Sequence, residues 1–223
     1  MKNPGKYLGS SIGRRSFLRA GSALAAGLFF PLAATAMEGR IHQLHGRVSI
    51  NGTTIDADAP VRAGDRIVTR SDSSLWFTLN GDAFFMRGES ELVLESARTS
   101  DLAIAGLRLV SGAFGATFAR GSERSLRAPN VVIGIRGTGV YLEARNAETY
   151  ACICFGAVEL KGDDGHMMEH VNVVTGNHFA RRVFASPRDG KLLVEAPFEM
   201  HTNAEMAELE RLAGRPDPFS GQR

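Results

Sequence analysis

Hydrophobic and polar positions alternate along most of this chain, in short runs that are separated by turn residues. From Glu38 to about Glu195 the turn signals recur at the spacing of roughly 8–12 residues that is typical of all-β proteins. Asn51-Gly52 and Asn80-Gly81 have the composition of tight hairpin turns. Because no segment before residue 200 has the 3.6-residue period of a helix, the pattern predicts an all-β architecture of many short strands. Periodicity alone leaves open whether these strands form a sandwich, a barrel or a roll-like solenoid.

The end of the chain has a different pattern, which predicts one short helix in the segment 201–223. Thr202 and Glu205 have the spacing of a capping box, in which each side chain binds the backbone of the other residue. Gly214 and Pro216 then end the helix. The apolar stripe of this helix consists of Met206, Leu209 and Leu212.

The segment Ile135–Lys161 predicts two consecutive strands that carry the most distinctive residues of the chain. Val140–Ala144 alternates as a half-buried strand does, and Thr149–Phe155 forms the second strand after a polar turn. The second strand contains both cysteines of the protein, Cys152 and Cys154. Since side chains at i and i+2 of a strand share a face, the two thiols are expected to point to the same side.

Residues 1–36 have the composition of a cleaved targeting segment. The motif Arg14-Arg15-Ser16-Phe17-Leu18 precedes an apolar run from Ala20 to Ala33, and Ala34-Thr35-Ala36 supplies a small-x-small cleavage site. The paired arginines resemble a bacterial twin-arginine signal, with an ordinary secretory signal as the alternative. Both types of signal predict export, and we expect the mature protein to be periplasmic. Its β domain is predicted at 37–200. No later segment is long and apolar enough to predict a membrane span.

The leader also accounts for the apparent basicity of the chain. It contains five of the 26 basic residues and none of the 24 acidic residues. The remaining chain therefore has 21 basic and 24 acidic residues and a formal net charge of −3. A mildly acidic mature chain without a basic patch does not predict binding to nucleic acid.

An ordered series of motifs runs through the segment 46–160. The motifs are Gly46-Arg47-Val48, Asn51-Gly52, Gly64-Asp65-Arg66-Ile67-Val68-Thr69, Leu79-Asn80-Gly81-Asp82, Leu109-Val110-Ser111-Gly112, Ala128-Pro129-Asn130-Val131, Ile135-Arg136-Gly137-Thr138-Gly139-Val140 and Phe155-Gly156-Ala157-Val158. This series resembles the FecR domain. The resemblance implies an extracytoplasmic β-rich module of the roll or solenoid type. Two features depart from the family: the chain lacks a membrane span with a cytoplasmic arm for a sigma factor, and it has the additional Cys-x-Cys pair.

The two cysteines have three interpretations. They are small core residues, a strained disulfide in an oxidising compartment, or thiolate ligands that two histidines complete to a tetrahedral S2N2 site for zinc, copper or iron. Of the six histidines, His178 at a turn between strands and His201 beside the helix start are placed where distant segments can converge. The predicted metal ligands are Cys152, Cys154, His178 and His201.

The sequence favours a binding or sensing module over an enzyme. His166-Met167-Met168-Glu169-His170 matches the H-x-x-E-H protease motif, but it lies between a Gly-Asp loop and a β-branched run with no space for a long helix. The working hypothesis is an exported FecR-like module that holds a metal or redox centre and binds an envelope protein or a small ligand. The alternatives are a thiol redox or metal-dependent enzyme, and a structural interaction domain with inert cysteines.

Overall fold

The computed structural model describes residues 38–97, 100–121, 123–145, 147–162, 167–174 and 177–221, with the side chains of 100–103 and 167–168 also excluded. The predicted signal peptide at 1–36 lies outside the described residues. In the parts of the chain that the structure describes, no helix has the length and apolarity needed to cross a membrane.

The described residues form fourteen strands and one helix, which confirms the prediction of an all-β protein with a short C-terminal helix. The helix is α1 (Asn203–Leu212). The strands are β1 (Arg40–His45), β2 (Val48–Ile50), β3 (Thr53–Thr54), β4 (Arg66–Thr69), β5 (Ser74–Leu79), β6 (Asp82–Met86), β7 (Glu91–Ala97), β8 (Ser100–Thr117), β9 (Glu123–Ala128), β10 (Val131–Arg145), β11 (Glu148–Lys161), β12 (Met167–Val173), β13 (Phe179–Arg188) and β14 (Lys191–Glu195).

These strands belong to one large mixed sheet. Its main path runs β14-β13-β11-β10-β9-β8-β7-β4-β2-β3, and a branch leads from β8 through β6 and β5 to β1. The pairs are antiparallel except for β8 and β9, which run parallel. Strand β11 pairs with β10 on one side and with β13 and β12 on the other, so the strand with both cysteines lies inside the sheet rather than at its edge.

Strands β8, β10 and β11 are longer than the short strands that the sequence predicts, because glycines bend them without ending them. Gly112, Gly137 and Gly156 have φ angles of 77°, 62° and 90°, a region that residues with a Cβ atom rarely adopt. The register between β10 and β11 shifts after Arg136, as at a β-bulge. The bend lets one half of β10 pair with β9 and the other half with β8.

The two faces of the central strands belong to two hydrophobic clusters. The main core contains Ile153 of β11 together with side chains from almost every other strand. The second hydrophobic cluster lies on the opposite face and contains Cys152 and Cys154. Its full set of buried members is Ala83, Phe85, Ala113, Tyr141, Tyr150, Cys152, Cys154, Ala180, Met206, Leu209 and Phe219.

Helix α1 packs against the second hydrophobic cluster. The predicted capping box of Thr202 and Glu205 is present. Of the predicted stripe, Met206 and Leu209 are fully buried and Leu212 is half-buried. Burial of a Met or Leu side chain contributes about 1.5–3 kcal/mol, so these two residues are the main hydrophobic contribution of α1 to docking on the sheet.

Candidate metal centre

Strand β11 fixes the two sulfur atoms on one side of the sheet. Cys152 and Cys154 are completely buried in the second hydrophobic cluster, and Ile153 between them points into the main core. Cys152 lies opposite Tyr141 of β10 and Ala180 of β13, so a neighbouring strand flanks it on each side. The predicted orientation of both thiols towards one face is confirmed.

His178 approaches the sulfur atoms from the start of the neighbouring strand. It immediately precedes β13, whose first residue, Phe179, pairs with Ile153. This register places the imidazole beside the cysteines, with its Nδ1 atom 3.6 Å from the Cys152 Sγ atom. The backbone φ angle of His178 is 21°, at the border of the left-handed region.

His201 approaches from the segment that connects β14 to α1. It lies one residue before the N-cap Thr202 and is buried. Its Nε2 atom is 3.2 Å from the Cys154 Sγ atom. Met200, the preceding residue, has a φ angle of 70°, a left-handed conformation that turns the chain immediately before the ligand.

The four predicted ligands therefore converge from three segments that are far apart in sequence. One sulfur or nitrogen atom from each of Cys152, Cys154, His178 and His201 lies within 4.8 Å of all the others. With metal–sulfur bonds of about 2.3 Å and metal–nitrogen bonds of about 2.0–2.1 Å, a sulfur and a nitrogen on tetrahedral zinc lie about 3.6 Å apart. The two sulfur–nitrogen contacts, at 3.6 and 3.2 Å, are close to this separation, and the other pairs of ligand atoms lie within 4.8 Å of each other.

The surroundings of the two thiols shift their pKa values in opposite directions. A hydrogen bond with Cys154 is the largest of the effects that lower the pKa of Cys152 to about 4. Burial raises the pKa of Cys154, and the adjacent Cys152 sulfur raises it further. Burial alone would lower the pKa of His178, but hydrogen bonds with Cys152 and Asn203 outweigh it, so this pKa is raised. The two sulfur atoms therefore shift each other's pKa in opposite directions, downwards for Cys152 and upwards for Cys154.

The ring nitrogens that face away from the sulfur atoms also have partners. The Nε2 atom of His178 donates a hydrogen bond to the Asn203 side-chain oxygen at 2.6 Å. The Nδ1 atom of His201 donates to the backbone carbonyl of Glu199 at 2.9 Å. Each imidazole is thereby held with one nitrogen towards the sulfur atoms and the other towards an oxygen acceptor.

Aromatic rings stack on both histidines. Phe198 stacks on His178 with 3.8 Å between ring centroids, and Tyr141 stacks on His201 at 4.5 Å. The ring of Phe219, from the segment after α1, lies parallel to His178 at 6.1 Å. A shell of this kind sets the solvent exposure and the dielectric around a metal ion.

Sequence reasoning did not identify Asn203, the Glu199 carbonyl or the three aromatic rings as parts of the site. A half-buried Asn in a first helical turn and a backbone carbonyl have no recognisable spacing in a sequence. The aromatic rings belong to separate segments, and only the docking of α1 on the sheet brings them to the histidines.

The H-x-x-E-H match has no helical geometry in its described part. Glu169 and His170 belong to strand β12, and Glu169 forms an ion pair with Arg181 at 2.9 Å. His166 lies outside the described residues. Successive strand residues point to opposite faces, so Glu169 and His170 do not share one face, as the glutamate and a histidine ligand of a zinc protease must.

Comparisons with known proteins give weak structural matches and no match to a family model or a curated protein. Two crystal structures of a proposed anti-sigma factor from Parabacteroides distasonis, at 1.65 and 2.50 Å resolution, each align at 12% sequence identity with a TM-score of 0.46. Each alignment covers 59% of this chain and 58% of the other chain. A likeness at this level carries no information on function.

Proposed function

We propose that this protein is an exported FecR-like binding or sensing module that holds one transition-metal ion. The ligands are Cys152, Cys154, His178 and His201. The observation that carries the proposal is the convergence of their four ligand atoms within 4.8 Å from three separate segments. Two thiolates and two imidazoles suit zinc, and also copper or iron in sites of this softness.

A closed site supports a binding or sensing role over hydrolysis. Catalytic zinc usually has three protein ligands and keeps a fourth position open for water, whereas structural zinc has four. Here four protein ligands are available, and three of them are buried. An ion bound by all four has no vacant tetrahedral position for a substrate.

Export to the periplasm is part of the same proposal. It is supported by the sequence of the leader, with its paired arginines, apolar run and small-x-small site. The twin-arginine pathway carries folded proteins, so a metal centre can be assembled before export. The proposed partner is an envelope protein or a small ligand, and the −3 charge of the mature chain argues against nucleic acid.

Zinc titration tests the proposal. Mature protein, treated with a chelator and kept reduced under anaerobic conditions, should bind one Zn²⁺ per chain. The variants His178→Ala and His201→Ala should each bind more weakly, while His170→Ala, a histidine outside the cluster, should bind as the wild type does. Equal binding by all four proteins would show that the ion binds elsewhere.

Thiol redox chemistry is the second candidate function, because the Cys152 and Cys154 sulfur atoms lie within 4.8 Å of each other. Oxidation of the pair would form a bond between residues i and i+2 of a strand, where disulfide geometry is poor. Freshly isolated protein that contains a Cys152–Cys154 disulfide and no metal would favour this candidate over metal binding.

A further inference from the structure

Each histidine of the proposed centre can ligate a metal through only one nitrogen in its observed orientation. His178 presents Nδ1 to the sulfur atoms and His201 presents Nε2. A neutral imidazole carries its proton on one nitrogen, and the lone pair of the other nitrogen binds the metal. Ligation therefore requires a proton on Nε2 of His178 and a proton on Nδ1 of His201.

The hydrogen bonds on the outer nitrogens hold these two protons. The Asn203 oxygen accepts the Nε2 proton of His178 and the Glu199 carbonyl accepts the Nδ1 proton of His201. Both acceptors lie in the short segment 199–203, which also contains the ligand His201. This segment leads into α1, so the start of the helix provides one ligand and the acceptors for both histidines.

We propose that Asn203 is a positioning residue for the metal centre, because its side-chain oxygen fixes the tautomer and ring orientation of the ligand His178. The inference rests on the proposed function. Glu199 accepts the hydrogen bond through its backbone carbonyl, which a side-chain substitution does not remove. The acceptor of Asn203 is a side-chain oxygen, so substitution of Asn203 removes it. In the absence of an acceptor, His178 can place its proton on Nδ1, and that tautomer has no lone pair directed at the ion.

The position of Asn203 makes it suitable for substitution. It is half-buried in the first turn of α1, where alanine is the most favourable helix former. Loss of a partner that orients a ligating histidine typically costs about 10–100-fold in metal affinity. Asn203→Ala should therefore lower the affinity for Zn²⁺ by about this factor. Asn203→Asp keeps an oxygen acceptor and should retain most of the wild-type affinity.

Zn²⁺ affinity is measured on the mature protein by competition with a chromophoric chelator. Glu205→Ala is the matched control, since it removes the capping box and the ion pair with Arg87 from the same turn but neither partner of the hydrogen bond between His178 and Asn203. We expect less than a threefold change in zinc affinity for this control. Thermal unfolding of the metal-free proteins measures how far each substitution destabilises the helix. A loss of zinc affinity without a matching decrease in Tm is then due to lost orientation of His178.

The outcomes distinguish this inference from the proposed function. If the wild-type protein binds no Zn²⁺, the proposed function fails. If the wild type binds but Asn203→Ala has unchanged affinity, the positioning role is wrong. It is equally wrong if Glu205→Ala loses as much affinity, or if Asn203→Asp is as weak as Asn203→Ala. A further readout is the ¹⁵N spectrum of the His178 ring, in which zinc-loaded wild type should have its proton on Nε2.

Discussion

Replacement of Leu209 by alanine should loosen α1 from the second hydrophobic cluster. The Leu209 side chain is 0% exposed and belongs to the cluster that also contains both cysteines. Truncation to alanine removes buried methyl groups and leaves a cavity, and such changes cost about 2–5 kcal/mol. We take about 3 kcal/mol here, because a helix near the end of the chain can shift to close part of the cavity.

This loss converts to a measurable change in thermal stability. For a domain of this size, 1 kcal/mol shifts Tm by roughly 2–4 °C, so the expected decrease is roughly 6–12 °C. The measurement is thermal unfolding of the mature protein by circular dichroism with a chelator present, so that stabilisation by bound metal does not contribute.

Leu212→Ala is the matched control in the same helix. Leu212 is half-buried and belongs only to the partly buried shell of the cluster, so its truncation should cost about 1 kcal/mol, since less apolar area is lost. If the two variants have the same Tm, or if Leu209→Ala unfolds as the wild type does, α1 does not pack on the sheet as described.

Three further results are expected. Replacement of both Arg14 and Arg15 by Lys should retain the precursor in the cytoplasm, and continued export would contradict the twin-arginine assignment. Thr202→Ala should lower the free energy of unfolding by about 1 kcal/mol through loss of the N-cap, measured by urea unfolding, and no change would mean that the capping box does not contribute. Burial raises the pKa of Tyr141 to about 12 and also raises the pKa of Tyr150. Because unfolded phenols ionise near pH ~10, the folded state keeps protons that the unfolded chain loses, and stability should fall as pH rises above about 10. Ultraviolet titration of the mature protein should show no phenolate until unfolding, and early ionisation would contradict the burial of both rings.

The strand pattern and the direction of the thiols could be predicted because both depend on local alternation. Side chains alternate between the two faces of a strand, so Cys152 and Cys154 share one face and Ile153 lies on the other. The capping box depends only on the four consecutive residues from Thr202 to Glu205. These features need no knowledge of distant segments.

The lengths of the central strands could not be predicted in the same way. A glycine within an alternating run is compatible with either a turn or a bulge, and only the pairing partners on both sides decide between them. At Gly156 the strand continues, because β13 pairs with it before the bend and β12 pairs with it after the bend.

The candidate site also combines features that local sequence predicts with features that depend on distant segments. The sequence predicts His178 at a turn and His201 beside a capped helix, and these positions are the basis for predicting both as ligands. The residues around them could not be predicted, because Asn203 and the aromatic rings reach the histidines only when the C-terminal segment docks on the sheet.

Metal analysis of the isolated protein tests the central claim most directly. Mature protein, purified without chelator from a native host alongside the double variant Cys152→Ser, Cys154→Ser, is analysed by mass spectrometry of its metal content. We predict about one zinc, copper or iron ion per wild-type chain and none in the double variant, since serine hydroxyls do not replace thiolate ligands. A wild-type protein without stoichiometric metal, or a double variant that retains the full amount, would contradict the account.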